Sequence, residues 1–314
     1  MFKNKNFDKK FFPLSTSLMN SDIMRKIFVK GSGELQKQQT LKSSAEIFGK
    51  GLHSGVDVRL KIKPAEVDSG IIFLRKDLSD SPKIHASADK VTSVLRATTL
   101  EENGVKVFTV EHLMSALNVC GIDNAEIELD AEEPPVLNGN SIDFFKFIKS
   151  AGIVEQSKER REICINKIYR VDSDDRKKFI IALPYDGFRV SFTSINPHKI
   201  VGIQYADFEI TEEIYEKEIA PARTIAYEKE VAALREMGLG LGGTIENVIV
   251  YNDEGWLNKL IYPDELVRHK ILDVIGDIRL AGFVKCHIIA SASGHALNTQ
   301  LAKKIYSDFK GIKN

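Results

Sequence analysis

Between residues 263 and 282 the apolar side chains Val267, Ile271, Val274, Ile275 and Ile278 recur at the three-and-four spacing of one helical face. Pro263 suits the first turn of that helix, Asp264 and Glu265 complement its positive end, and Gly282 suits its stop. Shorter helices are predicted over 110–119, capped by Thr109 and closed by Gly121, over 142–148, over 227–237, and from the Ser293-Gly294-His295 turn to about Phe309. Val56, Val58, Leu60 and Ile62 alternate, which predicts a strand with one buried face. Further strands are predicted over 71–74, 105–108, 124–129, 163–171, 179–183, 189–195, 201–208, 247–251 and 284–290. The polar run 155–161 reads as a linker between two α+β halves. The halves echo each other: a helix with His112 or His269 off its apolar stripe, then a glycine, then a strand.

The length of 314 residues fits about two domains. We expect 38–154 and 162–314, preceded by a Lys- and Phe-rich extension, 1–37, read as a disordered tail, as a segment ahead of a start at Met24, or as an organelle-targeting peptide. The 44 basic and 44 acidic residues cancel, so nothing in the balance points to nucleic acid. No apolar run reaches transmembrane length. Cys120, Cys164 and Cys286 are far apart, which fits a reducing compartment and excludes a CxxC metal site. A cytoplasmic monomer is expected.

Two glycine clusters invite a nucleotide reading that their surroundings oppose. The 49–55 turn is followed by a strand, and 238–243 follows a helix instead of opening one, so a C-cap is expected there. Turn residue His53 faces either a ligand or solvent. His287 lies in an apolar strand and reads as structural, and His85 and His198 read as surface residues.

His269 and Asp273 are one helical turn apart, so they share a face, which Asp277 extends. Such a pair is either a hydrogen-bonded surface pair or two ligands of one metal ion. His112 from the other half would complete two imidazoles and a carboxylate, a set suited to Zn²⁺ with one position left for water. Glu111 points about 100° away from His112 on its helix, where it could miss the metal and reach the water as a base, or merely serve the helix N-terminus. His295 could be an acid oriented by Asp277, or a solvated loop residue. Lys270 could hold an anion, or be solvated.

Six segments occur in order: Thr109-Val110-Glu111-His112-Leu113-Met114-Ser115-Ala116-Leu117; Gly121-Ile122-Asp123-Asn124; Ala222-Arg223-Thr224; Leu239-Gly240-Leu241-Gly242-Gly243; the run 267–277; and Ser293-Gly294-His295-Ala296-Leu297-Asn298. With Gly51-Leu52-His53-Ser54-Gly55, they resemble the motif series of the UDP-3-O-acyl-N-acetylglucosamine deacetylases, zinc amidases of lipid A biosynthesis. The resemblance runs from about Gln38 to the C-terminal helix. It implies an α+β fold of two similar domains packed as a β-α-α-β sandwich, with an insert in each, the second over about 225–253 lining an acyl passage. It implies His112, His269 and Asp273 as zinc ligands and Glu111 as the base. His295 would be the cationic acid, supported by Asp277, and Thr224 an oxyanion donor. Lys270 would contact the diphosphate of an acylated UDP-N-acetylglucosamine. The chain departs from the pattern at Ile225, where an aromatic usually packs on the sugar, and at 193–198, where no aromatic stands and the usual His-Pro order is swapped. The 1–37 extension has no counterpart in the usual pattern. Another zinc amidase or peptidase, or a non-catalytic nucleotide-sugar-binding paralogue, would carry the same metal residues.

Overall fold

The computed structural model describes residues 36–310; nearly all of the 1–37 extension lies outside them. Within these, residues 37–310 belong to one compact unit. The chain is α+β, with helices between two mixed sheets. The first sheet has the order Ala45–Lys50, Asp57–Pro64, Ala125–Leu129, Ile71–Arg75, Lys83–His85. The second has the order Tyr169–Asp172, Phe179–Leu183, Phe283–Ser291, Phe188–Ile195, Ile203–Glu209. In both, only the third and fourth strands along this path run parallel. In both, a small sheet is inserted between the fifth strand and the next long helix: Val91–Ser93, Thr99–Glu102 and Val105–Val107 in the first half, Thr224–Tyr227 and Val248–Tyr251 in the second. The echo in the sequence is thus a repeat of topology.

Helix α1 (Glu111–Val119) and helix α2 (Ile142–Ala151) belong to the first half. The second holds α3 (Glu228–Glu236), α4 (Glu265–Arg279) and α5 (His295–Phe309). α4 is buried on nearly every side. Its apolar stripe meets the strands Phe188–Ile195 and Ile203–Glu209, and it also packs on α1 and α5. The crossing of α1 and α4 is close because residue 276 is glycine: a Cβ there would lie 2.0 Å from the carbonyl oxygen of Glu111.

Several expectations are corrected. Residues 155–159 are not a linker but part of the strand Ile153–Glu159, paired with Lys37–Leu41. The side chains of Ile153–Glu159 are mostly exposed, so no alternation marks it, while its partner strand buries Gln38, Thr40 and Leu41. Thr109 does not cap α1. The N-cap is Val110, and Thr109 takes φ +55° and donates its hydroxyl hydrogen bond to Glu133 instead. The strand expected over 163–171 is two, Glu162–Cys164 and Tyr169–Asp172. His198 is not a lone surface residue: its ring lies 4.0 Å from that of Tyr227, which the insert brings in from 29 residues away. The glycines after α3 do form a C-cap, with Gly238 at φ +74° and Leu239 N donating to Leu234 O. Among the described residues no helix is long and apolar enough to cross a membrane.

Candidate active site

α1 and α4 carry the site where they cross. His112 and Glu111 sit in the first turn of α1, and His269, Asp273 and Asp277 sit on successive turns of α4, all buried. The ring centroids of His112 and His269 are 5.0 Å apart and nearly perpendicular. Asp273 Oδ1 lies 3.4 Å from His269 Nε2 and 3.9 Å from His112 Nε2. It is buried and has no hydrogen-bond partner. That is costly for a carboxylate oxygen unless something binds there.

A cation fits the gap. One ligand atom from each of His112, His269 and Asp273 lies within 4.8 Å of the others. Ligands about 2.0–2.1 Å from a tetrahedral ion would be roughly 3.4 Å apart, close to the observed spacing. His269 Nδ1 lies 3.0 Å from the Ala222 carbonyl oxygen and donates to it, leaving Nε2 with its lone pair toward the gap. Burial pulls both imidazoles down, His112 to about 3 with the charge of His269 adding to it, so both are neutral near pH 7. Burial works against the charge of Asp273, but Lys270 and the nearby imidazoles hold its carboxyl below the ordinary range.

Glu111 and His295 flank this set. Glu111 Oε1 lies 3.8 Å from His295 Nε2, and His295 Nε2 lies 4.0 Å from Asp273 Oδ2. Burial raises the Glu111 carboxyl to about 7, with Asp277 and Asp273 adding to the rise and His295 opposing it. His295 is not an exposed loop residue. It is the first residue of α5, and only 11% of its side chain is accessible. Burial pulls its pKa down, but the carboxylates of Asp277, Glu111 and Asp273 outweigh that and bring it to about 10. Its Nδ1 donates to Asp277 Oδ2 at 2.9 Å, so Nε2–H points away from the orienting carboxylate.

Thr224 opens the insert strand two residues after Ala222, and its amide donates to Gly139 O. Lys270 is partly exposed and pairs with Asp273 Oδ2 at 2.8 Å. Ile225 packs in a small cluster with Val201, Tyr251 and Leu266. Ile195 is half exposed. His53 is buried, not solvated, and its Nε2 has no partner.

Thr98 was missed by sequence reasoning. It is fully buried, its amide donates to Glu111 Oε2 at 3.0 Å, and its hydroxyl donates to Asp277 Oδ1 at 2.6 Å. One residue therefore fixes both the carboxylate beside the metal gap and the carboxylate that orients His295. Asn298, inside the last motif, is the second donor to Asp277 Oδ2, at 2.9 Å. Nothing in the local pattern around Thr98 marks it, because its partners are 13 and 179 residues away.

A buried donor set for one cation, a carboxylate of raised pKa and a carboxylate-held imidazole are the parts of a metal-assisted hydrolase. The family model described as UDP-3-O-acyl N-acetylglycosamine deacetylase matches residues 38–307, and the chain belongs to that family. Three proteins named UDP-3-O-acyl-N-acetylglucosamine deacetylase are similar to it. That of Myxococcus xanthus (strain DK1622) is 42% identical over 274 residues, 86% of this chain and 87% of its own length. That of Hahella chejuensis (strain KCTC 2396) is 41% identical over 276 residues, 86% and 91%. That of Helicobacter hepaticus (strain ATCC 51449 / 3B1) is 40% identical over 280 residues, 88% and 92%.

Proposed function

We infer that this chain hydrolyses the acetamide of UDP-3-O-acyl-N-acetylglucosamine, releasing acetate, as a zinc-dependent deacetylase of lipid A biosynthesis working in the cytoplasm. The observation that carries it is the unpartnered Asp273 Oδ1 between two neutral imidazoles, with Glu111 and His295 on its border. His112, His269 and Asp273 would hold the ion, which supplies the Lewis acidity that acidifies water and polarises a carbonyl. Glu111 accepts the proton of the attacking water, because its raised pKa suits it both to take a proton near neutral pH and to return it. His295, cationic and aimed by Asp277, faces the negative charge that develops on the acetamide oxygen, and Thr224 donates to the same oxygen. A proton then passes to the departing sugar amine. Lys270 binds the substrate diphosphate, which requires it to divide its ammonium between that group and Asp273. The insert 225–253 covers the acyl chain, and the halves 38–154 and 162–314 act as duplicated domains around the site.

Acetate release from the acylated nucleotide sugar tests the activity. Release from an unrelated amide but not from this one would favour another amidase, and no release would favour a binding paralogue. For the ligands, His269→Ala should lower zinc affinity by at least the roughly 10–100-fold that follows loss of an outer-sphere partner. Unchanged zinc stoichiometry after dialysis would reject the assignment.

Asp277→Asn should move the alkaline limb of the pH–kcat/KM profile. The reaction needs His295 protonated, so activity falls as pH rises through its pKa. Removing the charge of Asp277 lowers that pKa, so the limb should shift toward acid by roughly one unit or more. An alkaline limb that stays in place would remove Asp277 from this role.

A further inference from the structure

Glu133 is fully buried and its carboxylate is held by neutral donors. The amides of His53 and Ser54 donate to it at 2.9–3.1 Å, the Ser54 hydroxyl donates at 2.9 Å, and the Thr109 hydroxyl donates to Oε1 at 2.7 Å. It occupies the space that a side chain at residue 51 would fill, since a Cβ on Gly51 would lie 2.3 Å from Glu133 Oε2. The 51–54 loop it grips also accepts hydrogen bonds from the second insert, Leu241 N to His53 O at 3.2 Å and Gly242 N to Leu52 O at 3.0 Å. Its other hold is on Thr109, a β-branched residue at φ +55°, a backbone conformation such side chains avoid. Two and three residues later come Glu111 and His112. A strained residue persists only where its surroundings over-determine it, and here the Thr109 hydroxyl is tied to a buried carboxylate that three further groups hydrogen-bond.

We propose that Glu133 is a positioning residue for the hydrolysis: it holds Thr109 in the left-handed conformation that directs Glu111 and His112 into the site, and it locks that turn to the 51–54 loop. The inference rests on Glu111 acting as the base. It separates Glu133 from residues that only stabilise the fold, because relief of the strain at 109 should make Glu133 dispensable.

The test is Glu133→Gln alone and combined with Thr109→Gly in the full chain. Gln keeps the shape but presents an amide to donors. In Glu133→Gln, kcat should fall roughly 10²-fold, the scale of a misplacement near 1 Å, with KM within a few-fold. Hydrogen exchange of the amides of 109–112 in the metal-free protein should be roughly tenfold faster, as loss of one charge-assisted hydrogen bond allows. Glycine adopts positive φ without penalty, so Thr109→Gly/Glu133→Gln should recover most of the lost kcat. No loss in Glu133→Gln, or no recovery in the double variant, overturns the proposal. Should Glu133→Gln fail to fold, Thr109→Val, which removes only the hydroxyl, carries the same expectation, and full kcat there overturns it. Glu111→Gln assayed alongside keeps the two readings apart. Full turnover in Glu111→Gln refutes the base, while an inactive Glu111→Gln with a fully active Glu133→Gln refutes only the role of Glu133.

Discussion

Glu111→Gln is expected to lower kcat by about 10²–10⁴-fold, the usual contribution of a positioned base, while zinc binding persists. Gln still accepts the Thr98 amide through its remaining oxygen, so the side chain should stay in place. Stability should move the other way from activity. In the metal-free protein the Glu111 carboxyl rises from an ordinary value of 4.5 to about 7, so the folded state binds its proton more tightly than the unfolded chain does. The folded state is therefore penalised as pH rises from about 4.5 toward 7, and a shift of that size corresponds to about 3 kcal/mol above pH 7. Gln carries no such penalty. Melting of the metal-free proteins at pH 8 should favour the variant, and at pH 4 the two should converge. A variant with wild-type kcat would sink the base, and equal Tm values at both pH values would sink the account of its burial. The base is thus a group whose placement costs stability and supplies rate.

Helices were the readable part of this chain, because α4 and α1 carry apolar stripes at helical spacing and glycines at their ends. One turn separates His269 from Asp273, so two of the three proposed metal ligands were visible as a pattern. The third ligand was visible only through the motif resemblance and the echo between halves, since 157 residues separate His112 from His269 and no local pattern encodes such a contact. The matching strand orders show why the echo was present: the same α+β unit occurs twice, and the helix after its inserted sheet supplies an imidazole each time. Residues that act through long-range hydrogen bonds stayed invisible. Thr98 reaches Asp277, and Glu133 reaches the 53–54 amides, across 179 and about 80 residues. The strand Ile153–Glu159 escaped notice for a different reason: its side chains are mostly exposed, so no apolar face gives it a period of two. Thr109 stood where a cap belongs, but its hydroxyl found a buried carboxylate, and tertiary context overrode local preference.

Gly276→Ala should separate the two halves of the site. In an exposed helix the change would stabilise by about 1 kcal/mol through helix propensity. Here the new Cβ would lie 2.0 Å from Glu111 O, 2.8 Å from its carbonyl carbon and 3.0 Å from its Cα. All three are backbone atoms, so no rotamer change relieves the overlap and one helix must move. Overpacking of this kind costs roughly 1–3 kcal/mol, and a clash against backbone belongs at the upper end, so the net change should be destabilising. The shift has a direction that matters for chemistry. It pushes α1, with Glu111 and His112, away from α4, with His269, Asp273 and Asp277, and widens the 3.9 Å approach of His112 to Asp273. A displacement near 1 Å is enough to cost about 10²-fold in rate, and a stretched ligand set should bind zinc more weakly as well. Tm, zinc affinity and kcat should therefore all fall together in Gly276→Ala, whereas Glu111→Gln lowers kcat alone. A Gly276→Ala protein that melts and turns over like the wild type, with zinc held as tightly, would mean that α1 and α4 do not abut at this residue, and the metal set drawn across them would lose its geometric basis.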